Sequence, residues 1–499
     1  MAHLSSLKVV SFFFVVLLGL GLFMNWKVGA QSDNFVLEVE KHWETFGVGG
    51  TCISGTHDLV VADVDGDGVK EMVTGGSSYS IAANGSRTTT QAPLKIWSWN
   101  GQNLTLEHSE NWAGNIWVVY AGDADDDGKT EIITGGGVIN SLGSDPTLRF
   151  WNWDGNTLVL RGSYGGISVA SIFVGDVDKD GKPEVVTVGR PLNASEAVAQ
   201  LSVWQWDGEN LTLKKSVEWC SGADARANSV YACDLNNDGL MEIMTGGYDN
   251  GLKNSSGQLR VWQWDGVDLS LKANVEWRMV DGYAVDVAGN PMGNTIVNNV
   301  KVGDVDGDGH PEIITGGFSY DGVKVNGQLR IWNWSGGALN LEKSQEWVTS
   351  DITELKSIAI NDVDGDGKTE IVTSGATAGY GSFASNATNK EQAQLRVWSW
   401  DGTALTLKQS KDWIVGEGVC AWQDGTGDLD NDGAREIVTV GCMYIGSLCD
   451  PDLRIWSLPA ASAPSESGSS TYFFATIAGI VVAVIVASTA FLLIRKRGK

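Results

Sequence analysis

One motif, D-x-D/N-x-D-G-x-x-E, occurs seven times in this chain and restricts the fold more than any other feature. It reads DVDGDGVKE from Asp63, DADDDGKTE from Asp123, DVDKDGKPE from Asp176 and DLNNDGLME from Asp234. It returns as DVDGDGHPE from Asp304, DVDGDGKTE from Asp362 and DLDNDGARE from Asp428. Like charges at alternate positions repel, so each run implies a bound cation. Hard cations such as Ca²⁺ take many oxygen ligands in a flexible geometry. Positions 1, 3, 5 and 9 supply them: Asp63, Asp65, Asp67 and Glu71 in the first loop, and Asp123, Asp125, Asp127 and Glu131 in the second. The third has Asp176, Asp178, Asp180 and Glu184, and the fourth Asp234, Asn236, Asp238 and Glu242. The fifth has Asp304, Asp306, Asp308 and Glu312, the sixth Asp362, Asp364, Asp366 and Glu370, and the seventh Asp428, Asp430, Asp432 and Glu436. Glycine at position 6 permits the sharp turn that points successive oxygens inward. The carbonyl of position 7, Val69 in the first loop, is a further ligand candidate.

The loops begin 60, 53, 58, 70, 58 and 66 residues apart, a period that marks a repeat architecture. Each unit has one order. An apolar run such as SIFVGD enters the loop, a β-branched run such as EIITGG leaves it, an aromatic run such as QLRVWQWDG follows, and a run such as LTLKKSVEW ends the unit. Alternation and β-branched content make all four strands. Four antiparallel strands repeated radially are the blades of a β-propeller, here expected to number seven. The last unit stops after PDLRIWSL and lacks a fourth strand, whereas FVLEVEKHW near the start resembles an isolated fourth strand. The N-terminal strand is therefore expected to complete the last blade and close the ring. Tryptophans recur in register, as in Trp97 and Trp99 or Trp262 and Trp264, which points to packing between blades; sugar stacking is the alternative.

An EF-hand needs a bidentate Glu at position 12 and flanking helices. Position 12 is Thr in every loop (Thr74, Thr134, Thr187, Thr245, Thr315, Thr373 and Thr439), and the flanks are strands. A D-x-D-x-D-G-x-x-E loop between strands, followed by a T-G-G turn, resembles the FG-GAP or VCBS repeat. That repeat builds the seven-bladed propeller of integrin α-subunits and of many secreted proteins, some of them lectins. The resemblance covers residues from about 35 to 458 and implies that the acidic positions above ligate calcium. All seven loops here look competent, and position 9 is Glu where integrins usually carry Asp.

The ends read differently. Lys8 precedes an apolar run, and Val28-Gly29-Ala30 supplies small residues, so 1–30 reads as a signal peptide, with an uncleaved anchor as the alternative. Residues 31–458 form the propeller region and 459–470, PAASAPSESGSS, a flexible stalk. Residues 471–494 are apolar and long enough to span a bilayer as a helix, and 495–499, RKRGK, read as a cytoplasmic tail. Together these predict a single-pass cell-surface protein with its N-terminal region outside. Six cysteines suit an oxidising compartment, with Cys442–Cys449, Cys220–Cys233 and Cys52–Cys420 as one of many possible pairings. Seven N-x-S/T sequons, starting at Asn84, Asn103, Asn193, Asn210, Asn254, Asn333 and Asn386, suit a glycoprotein. The net charge of −26 argues against nucleic acid. Much of it is assigned to the loops, which hold 28 of the 61 acidic residues.

The acidic loops should share one face. The opposite face carries the variable connections, the longest from about Arg278 to Asn299, where binding usually sits. Six residues before each loop lies the mouth of the first strand: His57, Trp117, Ala170, Asn228, Asn298, Lys356 and Trp422. Neighbouring columns are apolar or glycine, but this one is mixed and polar. Two tryptophans outside the repeat register, with amide and charged neighbours, suit a glycan or protein ligand, although a wide mouth would also tolerate variety. Tyr79, Tyr248, Tyr320, Tyr380 and Tyr444 follow the glycine turns and are candidates for the same face. The five histidines share no register, and no catalytic motif is recognised. The sequence therefore points to a cell-surface, calcium-stabilised propeller for adhesion or for binding a glycan or protein ligand, with a surface-anchored carbohydrate-active enzyme such as a polysaccharide lyase as the alternative.

Overall fold

The computed structural model describes residues 35–43, 51–81, 87–137, 147–192, 198–220, 224–250, 255–279, 284–285, 291–292, 295–378, 391–415, 418–445 and 448–459. Among them every regular element is a β-strand. Val118–Gly122, Glu131–Gly135, Leu148–Trp153 and Leu158–Tyr164 form one four-stranded antiparallel sheet. The strands from Ile167–Gly175 to Leu211–Trp219 form the next, and those from Asp224–Cys233 to Leu269–Trp277 another. Two eight-stranded sheets are each a pair of such groups joined by a single parallel bridge, Val325↔Ile352 in one and Ile53↔Cys449 in the other. In the long connection after Trp277, Ala284–Val285 pairs with Pro291–Met292 in a small hairpin.

The two ends of this region meet. Val36–His42 pairs antiparallel with Leu448–Ser457, placing Leu37 opposite Trp456 and His42 opposite Asp452. The N-terminal strand thus supplies the fourth strand that the final group lacks.

Recurrent residues explain the packing. The second strand of each group is the most buried, as in Glu131–Gly135. Its first glycine admits the next group: a Cβ on Gly135 would lie 2.6 Å from Val118 Cγ1 and 2.7 Å from Val169 Cγ1. The threonine at position 12 accepts a hydrogen bond from the first tryptophan of the adjacent third strand in all seven groups, at 2.9–3.2 Å. The fourth-strand tryptophan then packs on that tryptophan of the following group. Trp112–Trp151, Trp219–Trp262, Trp277–Trp332 and Trp347–Trp398 have centroids 5.1–5.3 Å apart. Trp413–Trp456 and Trp43–Trp97, both at 5.0 Å, carry the series through the paired ends. These tryptophans are packing residues, as their register indicates.

The chain divides into Met1–Leu458 and Pro459–Lys499, and only Pro459 of the second unit is described. The single-pass cell-surface placement is corrected: among the described residues no helix is long and apolar enough to cross a membrane. Residues 1–30, 471–494 and 495–499, whose composition suggested it, lie outside the described residues, as do 460–470 of the stalk. The cysteine contact observed also differs from the expected pairing. Cys420 and Cys442 are cross-strand partners with sulfurs 3.1 Å apart, and Cys449 is buried in the same cluster.

Candidate cation loops and the opposite face

Each acidic loop is tied by its own carboxylates. In the first, Asp63 accepts from the Gly66 and Gly68 amides at 2.7 and 2.9 Å, Asp65 from Asp67 N at 3.1 Å, and Asp67 from Val69 N at 2.7 Å. These bonds leave the second oxygen of Asp65 and of Asp67 for other partners. The ninth-position glutamate is buried in every loop. Its Oε2 accepts from the position-2 amide at 2.9–3.2 Å in all seven, leaving Oε1 to face the aspartates.

The carboxylates converge closely enough to share an ion. Ligand atoms of Asp63, Asp65 and Glu71 lie within 4.8 Å of one another, as do those of the three aspartates in the second, third and fifth loops. Burial pushes the Glu71, Glu131, Glu184 and Glu436 carboxyls up to about 7; the position-2 amide opposes the shift and nearby aspartates add to it. Glu312 is pushed to about 8 for the same reasons. A cation would supply the missing counter-charge, so the residues fit a hard divalent ion. The next group backs the loop. A Cβ on Gly155, Gly208 or Gly402 would lie 2.6–2.8 Å from the position-3 Oδ2 of Asp65, Asp125 or Asp306.

Three loops depart from this pattern. In the second, the Asn152 amide donates to Glu131 Oε1 at 2.7 Å. In the fourth, the Asn236 amide donates to Glu242 Oε1 at 2.9 Å. In the sixth, Lys408 enters the cluster: its ammonium lies 2.6 Å from Asp364 Oδ2, 3.3 Å from Asp366 Oδ2 and 3.0 Å from Glu370 Oε1. Burial lowers the affinity of Lys408 for its proton, but Asp364 and Glu370 more than reverse this.

The mixed column of the opposite face has a structural cause. His57, Ala170, Asn228, Asn298, Lys356 and Trp422 are each skipped in the register between first and second strands. Each is thus the extra residue of a β-bulge, a device that re-aims a side chain. The bulge brings the backbones close, since a Cβ on Gly247 or Gly317 would meet a first-strand carbonyl oxygen at 1.8 or 1.9 Å. That contact explains the second glycine of T-G-G.

Several re-aimed side chains reach their neighbours. Asn228 donates to Val297 O at 2.9 Å and Asn298 to Leu355 O at 2.7 Å, clasping successive groups. His57 stacks on Trp422 with centroids 4.7 Å apart and bonds Ser77 Oγ at 2.6 Å; burial lowers its pKa to about 4. Lys356 pairs with Glu354. Trp117, in contrast, is 41% exposed. Of the candidate tyrosines, Tyr248 bonds Asp224 and Tyr320 bonds Gly322 O, as loop anchors do. Tyr380 lies outside the described residues, and for Tyr79 and Tyr444 only the backbone is described.

Sequence reading missed a third cluster, on the inner strands. Asp58, Lys301 and Asp424 interact around a cavity of 690 Å³ that Lys301, Asp424 and Tyr231 help to line. Burial pushes both carboxyls to about 7; the Val119 amide and Lys301 oppose this at Asp58, Ser357 and Lys301 at Asp424. The signal was present, because Asp424 occupies a first-strand position filled elsewhere by Leu59, Val119, Ile172, Val230, Val300 and Ile358.

Residues 304–373 match the FG-GAP-like repeat family. That segment contains the fifth loop, a complete set of strands and the sixth loop. That stretch therefore carries an FG-GAP-like repeat within an all-β, propeller-like fold, and the match does not extend to integrin-like specificity. No curated protein sequence matches it. Among solved structures it is similar to the exotype rhamnogalacturonan lyase YesX, at 14% identity over 85% of this chain and 76% of that one, with a TM-score of 0.43. It is also similar to Sqt1 from Chaetomium thermophilum, at 11% identity over 82% and 97% with a TM-score of 0.44. The Dos1 propeller matches at 10% identity over 85% and 96%, with a TM-score of 0.41.

Proposed function

We propose that the chain is a calcium-stabilised, seven-bladed propeller that captures a glycan or protein ligand on the face opposite the acidic loops. The calcium reading rests on the carboxylate cradles, whose buried glutamates, Glu370 with its Lys408 apart, have no ion-pair partner among the described residues. The ligand reading is carried by Trp117, a large aromatic left 41% exposed where the equivalent residues of the other first strands are half-buried. An aromatic face at that point stacks on a sugar ring or holds an apolar side chain. Glycan and peptide arrays probed with the full chain should yield a ligand, and Trp117→Ala should weaken its binding at least tenfold while leaving thermal unfolding unchanged. Retention of full affinity by the variant would sink the assignment.

One observation favours an enzyme as the second reading. Asp58 and Asp424 have carboxyl pKa values of about 7, so each would exchange a proton near neutrality, as a general acid or base must. A carbohydrate-active role, polysaccharide lyase included, would release product from a bound glycan and fail in Asp424→Asn. Binding without turnover would exclude it.

A further inference from the structure

Every fourth strand carries a second bulge at a constant place. It falls just after the leucine that pairs with the first tryptophan of the third strand, or after Leu37 opposite Trp456 in the N-terminal strand. The extra residue is acidic in three strands (Glu38, Glu107 and Glu342) and basic in four (Arg161, Lys214, Lys272 and Lys408). Several of these residues sense the acidic loop of their own group. Glu107 and Glu342 occupy in the first and fifth groups the register position that Lys408 holds in the sixth. Lys272 lines a cavity with Asn236, Asp238 and Glu242. Lys408 goes furthest, with its ammonium on Asp364, Asp366 and Glu370.

We propose that this bulged residue sets the cation occupancy of its loop, and that Lys408 takes the place of the ion in the sixth loop. The idea rests on the calcium reading above. A divalent ion entering the sixth loop must break three charge-assisted contacts and leave an ammonium beside itself. In the first and fifth loops an ion meets Glu107 or Glu342 instead, an additional negative charge that favours it. The sequence motif of the loop does not reveal this, since the fifth and sixth loops share DVDGDG.

Calcium itself is the probe, titrated into the full chain by calorimetry and counted by native mass spectrometry. Lys408→Met should bind one ion more than the wild type. Asp364→Asn should leave the wild-type count unchanged, whereas Asp306→Asn should lower it by one. Glu342→Lys should weaken one site at least tenfold. The proposal is overturned if Asp364→Asn removes an ion as Asp306→Asn does, or if folded Lys408→Met gains none. Should Lys408→Met not fold, the Asp306 and Asp364 pair decides alone. A wild-type count of zero would instead overturn the calcium reading, and this proposal with it.

Discussion

The fifth and sixth acidic loops begin identically, DVDGDG from Asp304 and from Asp362, yet they solve the same electrostatic problem in opposite ways. The fifth leaves Glu312 buried among aspartates with its carboxyl at about 8 and faces a further carboxylate in Glu342. The sixth neutralises the same geometry from within, through Lys408. A tethered ammonium is always present, whereas an ion must be acquired. The loop motif therefore specifies a cradle, and a residue from a different strand decides what lies in it.

The largest expected effect tests that difference directly. A ligand that binds only the folded state stabilises it by roughly 2.7 kcal/mol per site at a hundred times its dissociation constant. Chelation should lower the melting temperature by a wide margin, and Ca²⁺ should restore it better than Mg²⁺, which resists flexible multi-carboxylate sites. Hydrogen exchange followed during chelation should accelerate across 304–312 and hold steady across 362–370. Equal acceleration would erase the comparison.

Paired substitutions give a smaller effect of opposite sign. In chelator at neutral pH, Glu312→Gln removes the cost of protonating on folding a carboxyl that is ionised in the unfolded chain, and should stabilise the fold by about 1 kcal/mol. Glu370→Gln strips Lys408 of a partner and should cost about 1–2 kcal/mol under the same conditions. Denaturant unfolding of both variants measures the signs, and a shared sign would show that Lys408 does not compensate Glu370.

The smallest effect is in pH. In chelator, folded Glu312 holds a proton up to about pH 8, while the unfolded chain releases it near its ordinary 4.5. The folded state binds more protons between those values, so stability falls as pH rises through the window. Calcium keeps the carboxylate ionised in the fold and should remove the fall. Melting curves from pH 5 to 8 should flatten in Glu312→Gln and change less in Glu370→Gln; a steeper slope in Glu312→Gln would contradict the assignment.

Much of the architecture was legible because it is periodic. Seven loops, four strand patterns per unit and the complementary ends can be aligned by eye, and the Trp and Thr columns proved to be two ends of one hydrogen bond. What stayed hidden depends on register between strands. A one-residue bulge leaves no trace in hydropathy, so the column at His57 to Trp422 read as a ligand rim. The structure shows that Asn228 and Asn298 clasp backbone carbonyls of the next group. Lys408 lies 38 residues beyond Glu370, in a strand with no acidic signature, and only folding brings them together. The single-pass placement came from apolar composition at the ends, and no described helix carries it.

The pairing of the first strand with the last has a mechanical consequence. Because Val36 lies opposite Ser457, the chain enters and leaves the described sheets at neighbouring points. Tension applied between the two ends would load the Val36–His42 pairing from one edge, so its hydrogen bonds would part in succession, beginning beside Val36, and would not share the load as bonds in shear do. Deep burial of the tryptophans does nothing to relieve that edge. The propeller would resist heat far better than it resists being pulled by its ends, and a pull would release first the strand that completes the final sheet.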